Sequence, residues 1–239
     1  MDFENALRTN IIDAARSLDK GGTRFATFRT SFCNEKLWIL TNRGGFLLRR
    51  DATPAQGIND IFTNGKKYGF ECAVAIVILF YKGVLDTIGA ERFNEKFANL
   101  HLFSWETDSD LGITSAHVGA RYARPGDCLY FRNPEVDPEE TEWQGENVIL
   151  LDDNLYYGHG LGIRDADGII AALNKHRRVG ATQSAYLDDL VVYPDYDSLA
   201  QYAPSLSRSR SAPRFPAALT AGAIRSRIGN RRTIGLSYR

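Results

Sequence analysis

The sequence predicts an α+β fold on three observations. Helical periodicity dominates from Phe3 to Leu100, and short extended runs separated by turn residues dominate from Asp127 to Tyr193. Within the first region lies a segment, Cys72 to Tyr81, that is apolar on nearly every side. Such a helix belongs in the centre of a domain.

The elements follow in order. Phe3, Leu7, Ile11, Ala14 and Leu18 recur at helical spacing, and Gly21-Gly22 ends that helix. Arg24 to Thr30, Lys36 to Thr41 and Phe46 to Arg49 read as a three-strand meander, and Thr53-Pro54 opens a short helix that Asn64-Gly65 closes. The buried helix begins at Cys72, and a second, amphipathic one spans Glu91 to Leu100 on Phe93, Phe97 and Leu100. Asp127 to Arg132, Asn147 to Leu151 and Leu155 to Ile163 read as strands, the last two joined by Asp152-Asp153-Asn154. Gly168 to Arg178 reads as a helix and Ser184 to Tyr193 as a final strand. Residues 1–202 form one domain.

From Ala203 the composition changes. Residues 203–239 hold eight Arg, no acidic residue and three Pro, which predicts a disordered tail with a weak helical tendency over Ala217 to Arg227. The whole chain balances 29 basic against 29 acidic side chains over 239 residues, so a uniformly basic nucleic-acid or membrane binder is excluded. Residues 1–202 carry a net −8 that the tail cancels. Contact of the tail with nucleic acid or an acidic surface is the partner expectation this basic run carries.

Three cysteines, Cys33, Cys72 and Cys128, include no CxxC, so neither a disulfide framework nor a cysteine-rich metal site is expected, and a reduced compartment is. No metal-ligand spacing and no nucleotide-binding signature occur; GHGLG at 158–162 reads as strand and opens no helix. The N-terminal residues carry acidic side chains and no signal-like apolar core, and no run reaches membrane-spanning length.

Cys72 opens the most buried helix, where free N–H groups and the helix dipole favour a thiolate and can hold an oxyanion. Position alone leaves a packing role open, since free Cys is among the most buried residue types; Cys33 and Cys128, read as strand residues, are structural. A nucleophile needs a proton acceptor, and two hairpin strands supply Glu146 and His159. Thiol on a helix, base on the first strand and an orienting group on the second form a papain-type layout by role.

The stretches FECAVAIVILFYKGVLDTIG, GDCLYFRNPEVDP, WQGENVILL, YYGHGLGI and QSAYL, with RFATF near the start, resemble the spore-coat protein-glutamine gamma-glutamyltransferases of the bacilli. The resemblance runs from about Asn10 to Leu187, and the tail has no recognised counterpart. It implies a papain-like, NlpC/P60-type core, calcium-independent and without cofactor or metal. It also implies a monomeric enzyme of mother cell and spore coat that joins glutamine to lysine side chains of coat proteins. By this resemblance Cys72 is the nucleophile, Glu146 the main catalytic carboxylate, Glu71 a second, partly redundant one, and His159 the site histidine. Phe25, Trp105 and Trp143 wall its substrate tunnel.

Two physical constraints accompany that assignment. A carboxylate beside a thiol cannot stabilise a thiolate as an imidazolium does, so the pair holds one shared proton. Glu71 can assist only from outside the helix, as its N-cap, because adjacent helical residues do not share a face. His159 is expected to orient Glu146 or a loop rather than to take protons. A thiol amidase or peptidase of the wider NlpC/P60 type and a non-catalytic coat scaffold are the rival readings.

Overall fold

The computed structural model describes residues 2–202 and the backbone of 224–228 and 231–235. The first helix, α1 (Phe3–Lys20), is capped by the Asp2 side chain on the Asn5 N–H and ends at Gly21. Next come β1 (Arg24–Phe25), β2 (Trp38–Leu40) and β3 (Phe46–Leu48), and then α2 (Pro54–Thr63), opened by a capping box between Thr53 and Gln56. A short β4 (Gly69–Phe70) leads into the long α3 (Cys72–Ile88), followed by α4 (Ala90–Lys96), β5 (His101–Leu102) and β6 (Ile113–His117). The second half contributes β7 (Cys128–Arg132), β8 (Gly145–Asp152), β9 (Leu155–Gly158), β10 (Gly162–Arg164), α5 (Ala166–Asn174), β11 (Tyr186–Pro194) and α6 (Tyr196–Leu199). Two further strands, β12 (Ile224–Ile228) and β13 (Arg231–Gly235), lie in the C-terminal segment.

The main sheet has the order β10-β9-β8-β7-β11-β6-β13-β12 and is antiparallel apart from the β13–β6 pair. Alternation along its strands assigns the two faces. Cys128, Ile149, Leu151 and Tyr157 join the cluster built on α1, α2, α3 and α4. Leu129, Phe131, Val148 and Leu150 pack with Ile169 and Leu173 of α5 on the other face. The sheet is thus covered on both sides, and α3, with nearly all its side chains buried, is the centre the sequence predicts. Each large apolar side chain so buried contributes roughly 1.5–3 kcal/mol.

A buried ion pair ties α1 to the sheet. Arg8 Nη1 donates to Asp127 Oδ1 at 2.9 Å while Arg8 Nε holds Glu4 at 2.8 Å, and Asp127 is wholly buried. Leaving either charge alone costs about 3–5 kcal/mol.

The structure corrects several expectations. The three-strand meander does not form: β1 leaves it to pair in parallel with β4, and β5 supplies the third strand of the β2-β3-β5 sheet. The Arg24 and Ala26 N–H groups donate to the Tyr68 and Phe70 carbonyls, so the main chain of β1 is satisfied around β4. Cys33 lies outside the strands, beside an isolated bridge at Phe32. The helix predicted to Leu100 stops at Lys96. The strand predicted from Leu155 to Ile163 breaks after Gly158, because Gly160 takes φ +96°, a left-handed conformation that favours glycine. His159 therefore occupies the turn 159–161, and GHGLG spans the end of β9, that turn and the start of β10. The helical tendency over Ala217 to Arg227 overlaps β12, where Ile224 and Ile228 flank three polar residues ahead of Gly229-Asn230, a two-residue hairpin signal. The rest of the predicted disordered tail lies outside the described residues.

Candidate active site

The site is assembled by the parallel pairing of β1 and β4. Arg24 sits opposite Gly69 and Phe25 opposite Phe70, so Phe25 is held next to the start of α3. Glu71 follows as the N-cap residue, with extended φ −89° and ψ 170°. Because it stands outside the helix, its carboxylate can turn back onto the neighbouring residue. Cys72, only 8% exposed, donates from Sγ to Glu71 Oε2 at 3.6 Å and accepts from Asn147 Nδ2 at 3.3 Å.

Glu146 precedes Asn147 on β8, so the two side chains point to opposite faces of the strand. Asn147 takes the α3 face and meets the sulfur. Glu146 shares the face of Val148, where Gly158 leaves room: a Cβ on Gly158 would lie 3.1 Å from the Glu146 Cγ and Oε1 atoms. Glu146 is 4% exposed, and its Oε1 has no hydrogen-bond partner. It reaches Cys72 by charge rather than by contact.

The electrostatics follow from this crowding. Burial pushes the Cys72 thiol well above its ordinary value, and the charges of Glu146 and then Glu71 push it further, against the Asn147 donors. Burial and then the Glu71 charge hold Glu146 well above the carboxylate range, opposed by the His159 backbone N–H. Burial also raises Glu71, while the N–H groups of Ala73 and Val74 favour its ionised form. Three acids in a dry space compete for few negative charges.

His159 is caged. Its Nε2 lies 3.1 Å from the Arg24 carbonyl, which can only accept, so the proton sits there and Nδ1 accepts from the Tyr157 hydroxyl at 3.1 Å. Its ring stacks on Phe70 at 4.5 Å and 16°. Burial lowers its pKa to about 4, so it is neutral at physiological pH and has no nitrogen free for the thiol.

Two cavities open on this centre. The larger, about 610 Å³, is lined by Phe25, Glu71, Cys72, Trp105, Tyr130 and Asn147, among others. The smaller, about 100 Å³, is lined by Phe25, Glu142, Trp143, Glu146 and His159. Phe25 and Glu142 border both. Of the aromatic walls the sequence suggests, Phe25 is common to the two cavities, Trp105 belongs to the larger and Trp143 to the smaller. Cys72 and Glu146 likewise border different cavities.

Several residues at the site escape the sequence reading. Asn147 contacts the sulfur, and period-two alternation could have found it, since only one of Glu146 and Asn147 can face α3. Tyr130 pairs across the ladder with Asn147 and lines the Cys72 side. His176, which the sequence leaves without a role, stacks on Trp143 at 3.8 Å and 3° and meets Glu140 Oε2 at 2.9 Å; no local signal announces that pairing. Among the described residues the only group with metal-ligand geometry is His117, Asp188 and Asp189 at the surface, and Asp188 there already accepts two bonds from Arg132.

Residues 1–203 match the family model described as protein-glutamine gamma-glutamyltransferase. The chain is 50% identical over 185 residues to the protein-glutamine gamma-glutamyltransferase of Bacillus pumilus, covering 77% of this chain and 74% of that one. It is 42% identical over 234 residues to the Bacillus mycoides protein of the same name, covering 98% and 83%. That second match extends into residues 203–239, so the Arg-rich segment does have a counterpart, contrary to the sequence expectation. Among solved structures, a transglutaminase from Geobacillus stearothermophilus without its C-terminal extension superposes with a TM-score of 0.80 at 51% identity, covering 84% of this chain and 95% of that one. No described helix is long and apolar enough to cross a membrane. The chain belongs to the protein-glutamine gamma-glutamyltransferase family, enzymes of the acyltransferase class with an α+β fold.

Proposed function

We propose that this enzyme crosslinks proteins through a thioester on Cys72, joining a glutamine γ-carboxamide to a lysine amine. The observation that carries the reading is a buried thiol at a helix start, held between a carboxyl and an amide, while His159 has both ring nitrogens bonded elsewhere. Such a centre is suited to general-base chemistry by carboxylates, not to a standing thiolate–imidazolium pair.

In the first half-reaction a substrate glutamine enters the larger cavity. The thiol gives its proton to Glu71 as sulfur attacks the γ-carbon, and N–H groups at the start of α3 with the Asn147 amide receive the oxyanion. The C–N bond breaks, the proton passes to the departing nitrogen, and ammonia leaves. In the second half-reaction lysine approaches through the smaller cavity. A lysine ammonium, with pKa near ~10.4, must first lose a proton, and Glu146 is the carboxylate bordering that space. The free amine attacks the thioester, the isopeptide forms, and the proton returns to sulfur. Phe25, Trp105 and Trp143 limit water, which would otherwise hydrolyse the thioester. His159 acts by position: its ring holds the β1 main chain, and its backbone N–H faces Glu146.

The substrates implied by the family resemblance are spore-coat proteins bearing Gln and Lys. The Arg-rich segment 203–239 serves as an anchor on an acidic surface. The reading is tested by incubating the enzyme with a glutamine-donor casein and a labelled primary amine. Incorporation that disappears in Cys72→Ala supports crosslinking; release of glutamate or cleaved peptide alone supports hydrolysis, and no turnover supports a scaffold.

A further inference from the structure

The two cavities differ in size and in the charges on their borders. The larger is bordered by two carboxyls, Glu71 and Glu142, by Arg132, whose guanidinium is held by Asp188, and by neutral polar groups such as Gln144, Asn147 and Thr27. The smaller is bordered by two carboxyls, Glu142 and Glu146, and by no lysine or arginine. Its single imidazole, His159, has both nitrogens bonded. Trp143 and Phe25 add aromatic surface to the same cavity.

Glu142 stands on the short 3₁₀ turn Thr141–Trp143, is exposed, and borders both cavities at their junction. Behind it lies an acceptor without a donor: Glu146 Oε1, buried and unpartnered in the same small cavity. A protein interior rarely leaves such an atom bare, because a buried polar group without a partner costs free energy. Its missing partner is a group that arrives from outside and donates hydrogen bonds. A cavity with two acceptors, aromatic walls and no competing cation fits a primary ammonium.

We propose that Glu142 is the residue that selects the lysine substrate: its carboxylate receives the ε-ammonium at the junction of the two cavities and delivers it along Trp143 and Phe25 toward Glu146. This rests on the crosslinking function proposed above and assigns the acceptor end of that reaction. A cation leaving water for an apolar passage loses hydration, and an anion at the entrance with aromatic faces beyond it offsets that loss. A neutral carboxamide has no such need, so the charge at Glu142 discriminates between the two substrates. The larger cavity also carries carboxyls, Glu71 and Glu142, but it has an arginine on its border, whereas the smaller has two carboxyls and no basic side chain.

The test compares wild type with Glu142→Gln and Glu142→Asp, using casein as glutamine donor and two nucleophiles. Labelled cadaverine is cationic, whereas hydroxylamine is uncharged at neutral pH. The expected result is a rise of about fivefold to tenfold in KM for cadaverine in Glu142→Gln. The effect on hydroxylamine should be less than about twofold by the same reasoning. Wild-type KM for cadaverine should rise with added salt and that of Glu142→Gln should not, and Glu142→Asp should restore most of the affinity. An unchanged cadaverine KM in Glu142→Gln, or equal losses for both nucleophiles, would overturn the proposal while leaving the crosslinking function intact. Failure of the wild-type enzyme to incorporate either nucleophile would overturn both.

Discussion

At the scale of single residues the site turns on the neighbours Glu146 and Asn147. Alternation along β8 sends them to opposite faces, so the amide touches the sulfur and the carboxyl waits behind it in a separate cavity. Glu71 meets Cys72 because it caps the helix instead of belonging to it, a condition legible from the sequence once a helix starting at Cys72 is drawn. The caged state of His159 was not legible, since it depends on the Arg24 carbonyl, 135 residues away in the chain. The electrostatics give a signed prediction. Glu146 must be ionised to accept a proton, and both burial and the Glu71 charge raise its pKa, so the acid limb of the crosslinking rate lies above the ordinary glutamate value of 4.5. Glu71→Gln removes a neighbouring anion and makes Glu146 easier to ionise. That variant should therefore be slower yet have its acid limb displaced to lower pH. A pH–rate profile of amine incorporation checks the shift; an unmoved or higher limb contradicts the coupling.

Elements with strong local signals were the ones the sequence specified. The apolar stripe of α1, the capping box of α2 and the all-round apolar α3 each carry their own instructions. Strand β6, with four consecutive buried residues, has no alternation to betray it, and the β1–β4 pairing joins segments too short to show a pattern. The hairpin β12–β13 was missed because its arginines dominated the reading of composition over its isoleucines and its Gly-Asn signal. That hairpin pairs in parallel with β6, Arg231 opposite Ile113 through Ile234 opposite Ala116. It extends the sheet on the side away from β8 and the site, so its loss should spare the chemistry and remove the proposed basic anchor. Deleting residues 203–239 should abolish salt-sensitive adsorption to isolated acidic spore coats while amine incorporation into casein persists. Adsorption equal to that of the full chain would contradict the anchoring role.

Across the whole molecule the neutral formal charge is a cancellation, with −8 in residues 1–202 against +8 in the remainder. Within the body, the sheet separates two cores, and the site lies where that separation ends: Cys72 and Asn147 on the helical side, Glu146 and Trp143 on the other. In the proposed mechanism a covalent intermediate on sulfur is loaded from one cavity and discharged from the other. The covalent step is the centre of this account, and rapid mixing with a glutamine-donor peptide in the absence of amine, followed by acid quench and peptide mass analysis, tests it most directly. The account predicts an adduct equal to the donor peptide less ammonia on the peptide containing Cys72, released as a hydroxamate by hydroxylamine and absent from Cys72→Ala. An adduct on another residue, or crosslinking that continues in Cys72→Ala, would contradict it.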